Sequence, residues 1–390
     1  MPQGGISVSS IEEKQQERIK VRNDLLTGKK PKRVFIEILF SSEAAFGLAG
    51  MDFRKAHFST EMKEKAFDRL CETFPADAFP IYPSRDAFFN QYVGNKTWVM
   101  GSDGTFQHPD TPIMNPGEYD EFSDAPYKFI VEKLIPRAAS RFNSDPVTNG
   151  IRLMSAYEIF QKNNNTLKSM LGKISAKYGY APNFATAGNT NVPFDILSRY
   201  RSFTGIINDA YRIPGKVKAA VDALTPLMIA RAAPLVRRPG LISFVPLHMG
   251  PFLNKKVFDG LYWPNMERLA LELDKIGVAC QFFVESDWTR YIPYLERLPK
   301  SSIMYMEQGD PEVFTGTIGR EHVFGGFYDP TISLVRSKEE CIDEAKRLLD
   351  IVMKTGKYYF QFDKSVIDIK SIDVSKIQAV LEWVAVNAQY

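Results

Sequence analysis

The stretch LISFVPLH at residues 241–248 is the clearest strand in the sequence, because its apolar residues run together without regular polar alternation. Four later stretches share this character, and segments with the spacing of amphipathic helices lie between most of them. Strands of this kind are typical of parallel sheets that are buried on both faces. The four are GVACQFFVE (277–285), SIMYME (302–307), HVFGGFY (322–328) and KYYFQFD (357–363).

Three earlier stretches bring the expected strands to about eight: VFIEILF (34–40), a weaker strand ending near Ala78–Tyr82, and KYGYAPNFATAG (177–188). Eight parallel strands with intervening helices predict an α/β fold of the (β/α)₈ TIM-barrel type. An open doubly wound sheet is the alternative. It is less favoured because no G-x-G-x-x-G follows an expected strand and G-x-x-x-x-G-K-[ST] does not occur.

The chain has 390 residues, which suits one barrel with helical additions. A chain of this length buries a large core without disulfides or metals. Helical spacing near the start predicts an N-terminal helical extension over residues 1–30. We expect one barrel domain over residues 31–390, with a mostly helical insertion at 100–175.

The composition argues against nucleic acid and membranes as binding partners of this protein. Lys and Arg number 49, Asp and Glu number 46, and the net charge of +3 argues against the basic face of a nucleic-acid binder. No apolar run approaches the ~18 residues of a membrane span, and no secretory signal is visible. With three widely separated cysteines, we expect a cytoplasmic protein that binds neither nucleic acid nor membrane.

Titratable side chains stand at the ends of the five clearest strands. Barrel active sites lie at the C-terminal ends of the strands, so we expect these side chains to converge around one mouth. Two further carboxylates, Asp287 and Asp310, follow closely after their strands. The five strand-end groups are His248, Glu285, Glu307, Asp329 and Asp363.

Three of these groups also have an interpretation without function. His248 is compatible with a buried, hydrogen-bonded histidine. Asp329 precedes a proline and suits the start of a turn. Asp363 is followed by Lys364 and is compatible with a simple ion pair.

Glu285 and Glu307 are the strongest candidates, because an unpaired carboxylate at the end of an apolar run is costly. A metal, a cation or a shared proton would relieve that cost. With His248 they predict a Zn²⁺ site built from histidine nitrogen and carboxylate oxygen. Two neighbouring carboxylates also leave a glycosidase open, whereas H-E-x-x-H, C-x-x-C and G-x-S-x-G motifs do not occur.

Four long segments carry a family resemblance: TPIMNPGEYDEFSDAPYKFIVEKLIPR (111–137), NVPFDILSRYRSFTGIINDAYRIPGKV (191–217), FVPLHMGPFLNKKVFDGLYWPNMERL (244–269) and FGGFYDPTISL (324–334). Together they resemble the uroporphyrinogen decarboxylase superfamily, and the resemblance runs from about residue 30 to the C-terminus. The superfamily's fold is a TIM barrel, so the resemblance implies the same architecture as the strand count.

The resemblance implies two main chemistries, decarboxylation of uroporphyrinogen without a cofactor, and corrinoid-dependent methyl transfer. The decarboxylases carry an arginine-rich stretch after the first strand that holds substrate carboxylates. Here that place reads SSEAAFGLAGMDF (41–53), with no basic residue before Arg54. Decarboxylation of a porphyrinogen or a simpler acid is therefore the alternative, with Arg85, Arg199 and Arg201 as its candidate arginines.

The methyltransferase branch is the closer match. Its thiol-methylating members carry a His-x-Cys pair after the fifth strand and a further cysteine after the last. This chain has His248-Met249-Gly250 and Asp363 at those places, so it keeps the histidine and resembles the ether-cleaving O-demethylases. The resemblance thus implies Zn²⁺, a small methylated and mainly O-methyl aromatic substrate, and a corrinoid (cobalamin) on a partner protein.

In this hypothesis a metal or a general acid stabilises the charge that develops on the leaving oxygen or nitrogen. His248, Glu285 and Glu307 hold the metal or supply the proton, and Asp310, Asp363 and Asp287 are further catalytic candidates. Phe40, Phe46, Tyr262 and Trp263 are candidates for lining an aromatic substrate pocket. A homodimer is compatible with this interpretation. After the methyltransferase and the decarboxylase, the third alternative is a binding or scaffold barrel without catalysis.

Overall fold

The structure is a computed structural model that describes residues 8–83, 85–236 and 238–390. None of the helices in these ranges is long and apolar enough for a membrane crossing. The α-helices are Val8–Leu26, Ser42–Leu48, Phe53–His57, Thr60–Thr73, Ala87–Val93, Tyr119–Asp124, Pro126–Phe129, Ile135–Ala138, Pro146–Tyr178, Pro193–Arg201, Phe203–Arg212, Pro214–Ala232, Lys255–Val257, Trp263–Lys275, Ile292–Leu295, Pro311–Gly316, Ile318–Glu321, Lys338–Val352 and Val374–Asn387.

Shorter helical turns extend or connect these helices. Two are π-helical, Ile130–Leu134 and Phe258–Tyr262. The 3₁₀ turns are Pro116–Glu118, Ser140–Phe142, Gly250–Phe252, Thr289–Tyr291, Pro330–Leu334, Met353–Thr355 and Ile369–Ser371.

The strands are short and most of them pair in parallel, which confirms the α/β class expected from the sequence. In chain order they are β1 (Phe35–Ile36), β2 (Phe40–Ser41), β3 (Ile81–Tyr82), β4 (Val99–Met100), β5 (Phe106–Gln107), β6 (Leu241–Leu247), β7 (Val278–Val284), β8 (Ile303–Met306), β9 (Val323–Gly326) and β10 (Tyr358–Phe360).

The chain divides into two compact units. The first contains the described residues of 8–83, 164–183 and 304–390, and the second contains those of 85–163 and 184–303. The single barrel domain expected over residues 31–390 stays a prediction.

In the first unit, β1, β10, β9 and β8 lie side by side in that order. Phe35 of β1 is opposite Tyr359 of β10, β2 pairs in parallel with β3, and Ala78 forms a parallel bridge with Ala181. Every residue of β1, β8, β9 and β10 is buried. Burial on both faces explains why these stretches are apolar without alternation.

A close approach between β8 and β9 explains the second glycine in the stretch HVFGGFY. Gly326 has a φ of +105°, and a Cβ atom built there would lie 2.0 Å from the carbonyl oxygen of Met306. Only a residue without a side chain fits that backbone conformation and that distance.

The N-terminal helix Val8–Leu26 is tied to the first unit by buried charges. Asp77 lies 3.2 Å from Arg18 Nε and 2.6 Å from Arg33 Nη1, and it also accepts a 2.9 Å hydrogen bond from the backbone N–H of Ile36. A shared, fully hydrogen-bonded carboxylate of this kind links helix and strand. Residues 1–7 of the expected extension lie outside the described residues.

In the second unit, β6 and β7 form the longest parallel pair. Their register runs from Leu241 opposite Val278 to Leu247 opposite Val284. Asn189 adds a parallel bridge to Phe244, and β4 and β5 form a separate antiparallel hairpin.

The strand expected at 177–188 is wrong. Residues 177 and 178 complete the long helix Pro146–Tyr178, and Gly179 follows with a φ of +64°. Glycine in this left-handed conformation is a common helix end. No strand forms over residues 179–188, where Ala181 makes only an isolated parallel bridge to Ala78.

Candidate functional site

The ends of β6 and β7 place His248 beside Glu285 in the second unit. Leu247 is opposite Val284 in the parallel register, and each titratable side chain belongs to the next residue along its strand. His248 Nδ1 makes a short hydrogen bond to Glu285 Oε2. The structure thus joins two of the residues that the sequence predicted for the site.

The imidazole of His248 is both partly buried and electrostatically favoured in its charged form. Burial acts to lower the pKa of His248, but the hydrogen bond to Glu285 and the charges of Asp195 and Glu285 raise it above the ordinary value. About a third of the His248 side chain (34%) is exposed to solvent. Within the described ranges, Nε2 makes no hydrogen bond, so it is available to a ligand.

Asp195 fixes the backbone that carries His248. This fully buried carboxylate lies in the first turn of the helix Pro193–Arg201 and accepts hydrogen bonds from the backbone N–H groups of His248 (3.3 Å) and Met249 (2.9 Å). Tyr262 donates a third, at 3.0 Å. Burial raises the pKa of Asp195, although the His248 charge and these hydrogen bonds act in the opposite direction.

The turn after β6 is packed against the turn after β7. Trp288 donates its indole N–H to the carbonyl of Glu285 at 2.9 Å. A Cβ atom at Gly250 would lie 2.4 Å from the Trp288 ring, so this position needs glycine. Arg290 and Tyr291 hold the next part of the turn through the carbonyl of Leu253, at 2.9 and 2.8 Å.

Sequence reasoning missed Asp195, and a local signal for it exists. A carboxylate two residues after a proline that opens a helix is typical of the first turn of that helix. The spacing does not show that this carboxylate binds the backbone that follows β6, more than fifty residues further along the chain. That contact depends on tertiary packing.

Two of the three arginines considered for a decarboxylase are occupied by protein partners. Arg201 Nε lies 2.6 Å from Asp209 Oδ2, and that oxygen also accepts a 2.9 Å hydrogen bond from Tyr119. Arg85 stacks over the ring of Trp98 at 4.0 Å. The remaining candidate, Arg199, is half-buried.

Glu307 and Asp363 belong to the first unit and share a lysine. Lys364 Nζ lies 3.5 Å from Glu307 Oε1 and 3.4 Å from Asp363 Oδ2. Burial raises the pKa of Asp363 to about 6, although Lys364 acts to lower it. The ion pair between Asp363 and Lys364 that the sequence suggested is confirmed.

Three other strand-end carboxylates stabilise local turns. Asp329 accepts hydrogen bonds from Thr331, which confirms the turn expected there. Asp310 caps the helix Pro311–Gly316. Asp287 accepts a 2.8 Å hydrogen bond from the N–H of Thr289. Backbone capping accounts for the position of each carboxylate, and a catalytic role for Asp310 stays a prediction.

The four aromatic residues expected to line a pocket are all buried. Phe40 stacks on Phe74, and Phe46 meets the edge of His57. The other two belong to a cluster of rings around Phe258. Interior packing accounts for Phe40, Phe46, Tyr262 and Trp263, and their role in a pocket stays a prediction.

The predicted zinc ligands are engaged with protein partners. Glu285 is bonded to His248, and Glu307 contacts Lys364. In the part of the chain that the structure describes, no group of three or more His, Cys, Asp or Glu residues is arranged to hold a metal ion. Zinc binding by His248, Glu285 and Glu307 stays a prediction.

Comparison with known proteins adds no family to these observations. No family model matches the chain, and a search of curated proteins found no match. The resemblance to the uroporphyrinogen decarboxylase superfamily rests on the four segments quoted above and stays a prediction.

Proposed function

We propose that this protein is a (β/α)₈-barrel methyltransferase component that removes a methyl group from a small methylated substrate. The preferred substrate is an O-methyl aromatic compound, and His248 acts as the general acid. The observation that carries the proposal is the His248–Glu285 pair, in which one ring nitrogen is held by a carboxylate and the other makes no hydrogen bond within the described ranges.

The chemistry requires a proton at the leaving oxygen. When the methyl carbon is attacked, the carbon–oxygen bond breaks and its electron pair stays on oxygen. A phenolic oxygen has a pKa of about 10, so it takes the proton from the imidazolium as the bond breaks. His248 Nε2 is the donating atom, and the neutral ring regains its proton from water.

Glu285 has an orienting and electrostatic role in this proposal. Its carboxylate accepts the Nδ1 proton, which leaves Nε2 directed away from Glu285. It also helps to raise the pKa of His248, so a larger share of the rings is protonated near neutral pH. Asp195 holds the backbone of the same turn.

A reduced corrinoid on a partner protein is the methyl acceptor and therefore a co-substrate of this reaction. It supplies the nucleophile that takes the methyl group. A reduced, cytoplasmic setting is compatible with the three cysteines, which are free and buried.

The decisive experiment is a methyl-transfer assay with free Co(I) cobalamin and a panel of methoxyarenes and methylamines. We expect at least one methoxyarene to be demethylated, and we expect His248→Ala to lower turnover by about 10²–10⁴-fold. Asp287→Asn is the matched control, because Asp287 bonds only its own turn in the described residues and its loss leaves the pair intact.

Failure across the whole panel with folded protein, repeated after zinc is supplied, would contradict the proposal. Metal analysis of the purified protein, with and without His248→Ala, tests the zinc prediction separately. Turnover of uroporphyrinogen would favour the decarboxylase alternative instead.

A further inference from the structure

The first half of the long helix Pro146–Tyr178 belongs to the second unit and packs one of its faces there. Ala156 is buried in a small apolar cluster that includes Phe142. Arg152, one turn earlier on the same face, donates a 2.7 Å hydrogen bond to the carbonyl of Arg141. These contacts fix which face of the helix turns inward and which turns away from the unit.

The opposite face carries a row of exposed apolar side chains, which we call the outer stripe. Its members are spaced by four, three and three residues, so they lie along one side of the helix. A surface helix normally turns such a row toward a core, and here the row points away from the unit. The outer stripe consists of Val147, Ile151, Met154 and Tyr157, with exposed fractions of 73%, 64%, 63% and 57%.

The apolar surface at the outer stripe is large enough for a specific interface. Leu153 and Phe160 are also exposed, and they widen the surface on one side. Side chains of this size and exposure leave on the order of 500 Å² of apolar surface, and patches of that size mark interaction sites on many monomers. Two such patches facing each other would bury about 1,000 Å² in total, which reaches the size at which specific interfaces begin.

The low charge around the outer stripe favours a second copy of this chain over other partners. Between Pro146 and Gln161 the sequence has two charged residues, Arg152 and Glu158, and Arg152 lies on the inner face. Helices that lie on a membrane surface are rich in Lys and Arg beside their apolar face. A strongly charged protein partner would likewise find few opposite charges here. The same apolar stripe on another copy has the matching chemistry.

The outer stripe also has a gap that its own largest side chain fits. Gly150 is exposed, and a Cβ atom built there would meet no described atom within 4 Å beyond its own helix backbone and chain neighbours. Tyr157 follows two turns later on the same face. When two copies of the helix run antiparallel, the ring of each Tyr157 comes to the level of the other copy's Gly150.

We propose that the outer stripe is the interface of a homodimer in which the two helices pack antiparallel around a twofold axis. The axis lies midway between Ile151 and Met154, so each Ile151 packs on the Met154 of the other copy and each Tyr157 covers the other Gly150. A parallel pair would place the two Glu158 carboxylates opposite each other, and the antiparallel pair separates them. This inference is independent of the proposed function.

The first test is the mass of the full chain in solution, measured by sedimentation velocity from about 0.1 to 100 μM. We expect a monomer–dimer equilibrium with a dissociation constant on the order of micromolar, as suits an interface of this size. Ile151→Glu and Met154→Glu should each weaken the dimer at least tenfold. Val386→Glu is the matched control, because Val386 is equally exposed (72%) on the helix Val374–Asn387. It should leave the dimer unchanged.

Two further variants test the packing and the direction of the helices. Gly150→Leu fills the gap, so it should weaken the dimer at least tenfold although leucine is the better helix former. Gln161→Cys carries a nitroxide label, and the three native cysteines are buried. The two labels should be roughly 25 Å apart along an antiparallel pair and about 10 Å apart in a parallel one.

The outcomes separate the interface from its alternatives. Unchanged thermal unfolding of the glutamate variants excludes misfolding as the cause of dissociation. A monomer over the whole concentration range, or a dimer that Ile151→Glu leaves intact, would overturn the proposal. A label distance of about 10 Å would overturn the antiparallel arrangement. Binding of a monomeric protein to phosphatidylserine vesicles that is lost in Ile151→Glu would assign the outer stripe to a membrane and also overturn it.

Discussion

Two regions of the molecule place carboxylates at strand ends and give them different neighbours. In the second unit, Glu285 binds the imidazole of His248. In the first unit, Glu307 and Asp363 share the ammonium group of Lys364. Burial acts to lower the pKa of Lys364, but its two carboxylate partners raise it above the ordinary value.

The difference teaches how a neighbour decides the chemistry of a carboxylate. A lysine with a raised pKa keeps its proton throughout the neutral range, so it neutralises charge without exchanging protons. A histidine with a raised pKa gains or loses its proton near neutrality. The pair in the second unit is therefore suited to acid–base chemistry, whereas Lys364 in the first unit neutralises the charge of its carboxylate neighbours.

The largest effect expected from comparing the two regions is on activity. We expect Glu285→Gln to lower turnover of a methoxyarene on the order of 10–100-fold, as is typical when a group that orients a functional histidine is lost. Glu307→Gln is the matched change in the first unit. Turnover within about twofold of the unmodified protein would assign Glu307 to its contact with Lys364, and a loss like that of Glu285→Gln would support the predicted zinc site. Equal losses in both variants would break the distinction.

The pH dependence of turnover sharpens the contrast. Because the protonated form of His248 is the acid, kcat/KM should fall as pH rises through its pKa, which the hydrogen bond to Glu285 raises above the ordinary value. Glu285→Gln should lower that pKa and move the alkaline limb to lower pH. Imidazole titration by NMR measures the same pKa without turnover, and an unchanged value in the variant would contradict the pairing.

The charge of His248 also makes the free energy of unfolding depend on pH. Like turnover, this stability should fall as pH rises. Its pKa is raised in the folded state, so its contribution to the free energy of unfolding is complete below about 6.5 and is lost as pH rises through the folded value. Glu285→Gln should therefore remove more stability at pH 6 than at pH 9. Denaturant unfolding at the two pH values measures the difference.

Asp363 should show the opposite dependence on pH. Its pKa is raised from 3.8 to about 6, so ionisation costs stability as pH rises through that window. Asp363→Asn should thus raise the free energy of unfolding at pH 7 by about 1–2 kcal/mol, after allowance for the lost Lys364 contact. The gain should vanish near pH 4, and a loss of stability at pH 7 would show that the ion pair dominates.

The smallest expected effect concerns the cap at Asp310. Asp310→Ala removes the acceptor for the N–H of Glu312 and should cost about 1 kcal/mol of unfolding free energy. Asp310→Ser restores a capping oxygen and is the control. Turnover should be unchanged in both, and a large loss of activity in the alanine variant would return Asp310 to the catalytic residues.

Much of the fold could be predicted, because buried parallel strands have a local signature. The stretches at 241–248 and 277–285 contain β6 and β7 in full, and the shorter strands β8, β9 and β10 lie inside their expected stretches. The start of the stretch at 177–188 was assigned to a strand although it completes a helix. Helical and extended spacing are hard to distinguish over so few residues, and Gly179 marks the boundary.

The candidate site was predictable only in part. His248 and Glu285 are adjacent because each follows the last residue of its strand in one register. The position of Asp195 depends on how a helix packs against that strand end, and no spacing within its own segment shows it. A grouping of His248, Glu285 and Glu307 around one ion stays a prediction.

The sequence by itself determined where apolar strands run and which of them end in groups that can carry charge. These features are local, since burial on both faces demands an unbroken apolar run and a charged residue marks its end. Only the tertiary structure decided that Glu285 meets an imidazole while Asp363 meets an ammonium group. Such pairings depend on register and on helices from distant parts of the chain, and the pKa of each group follows from those contacts.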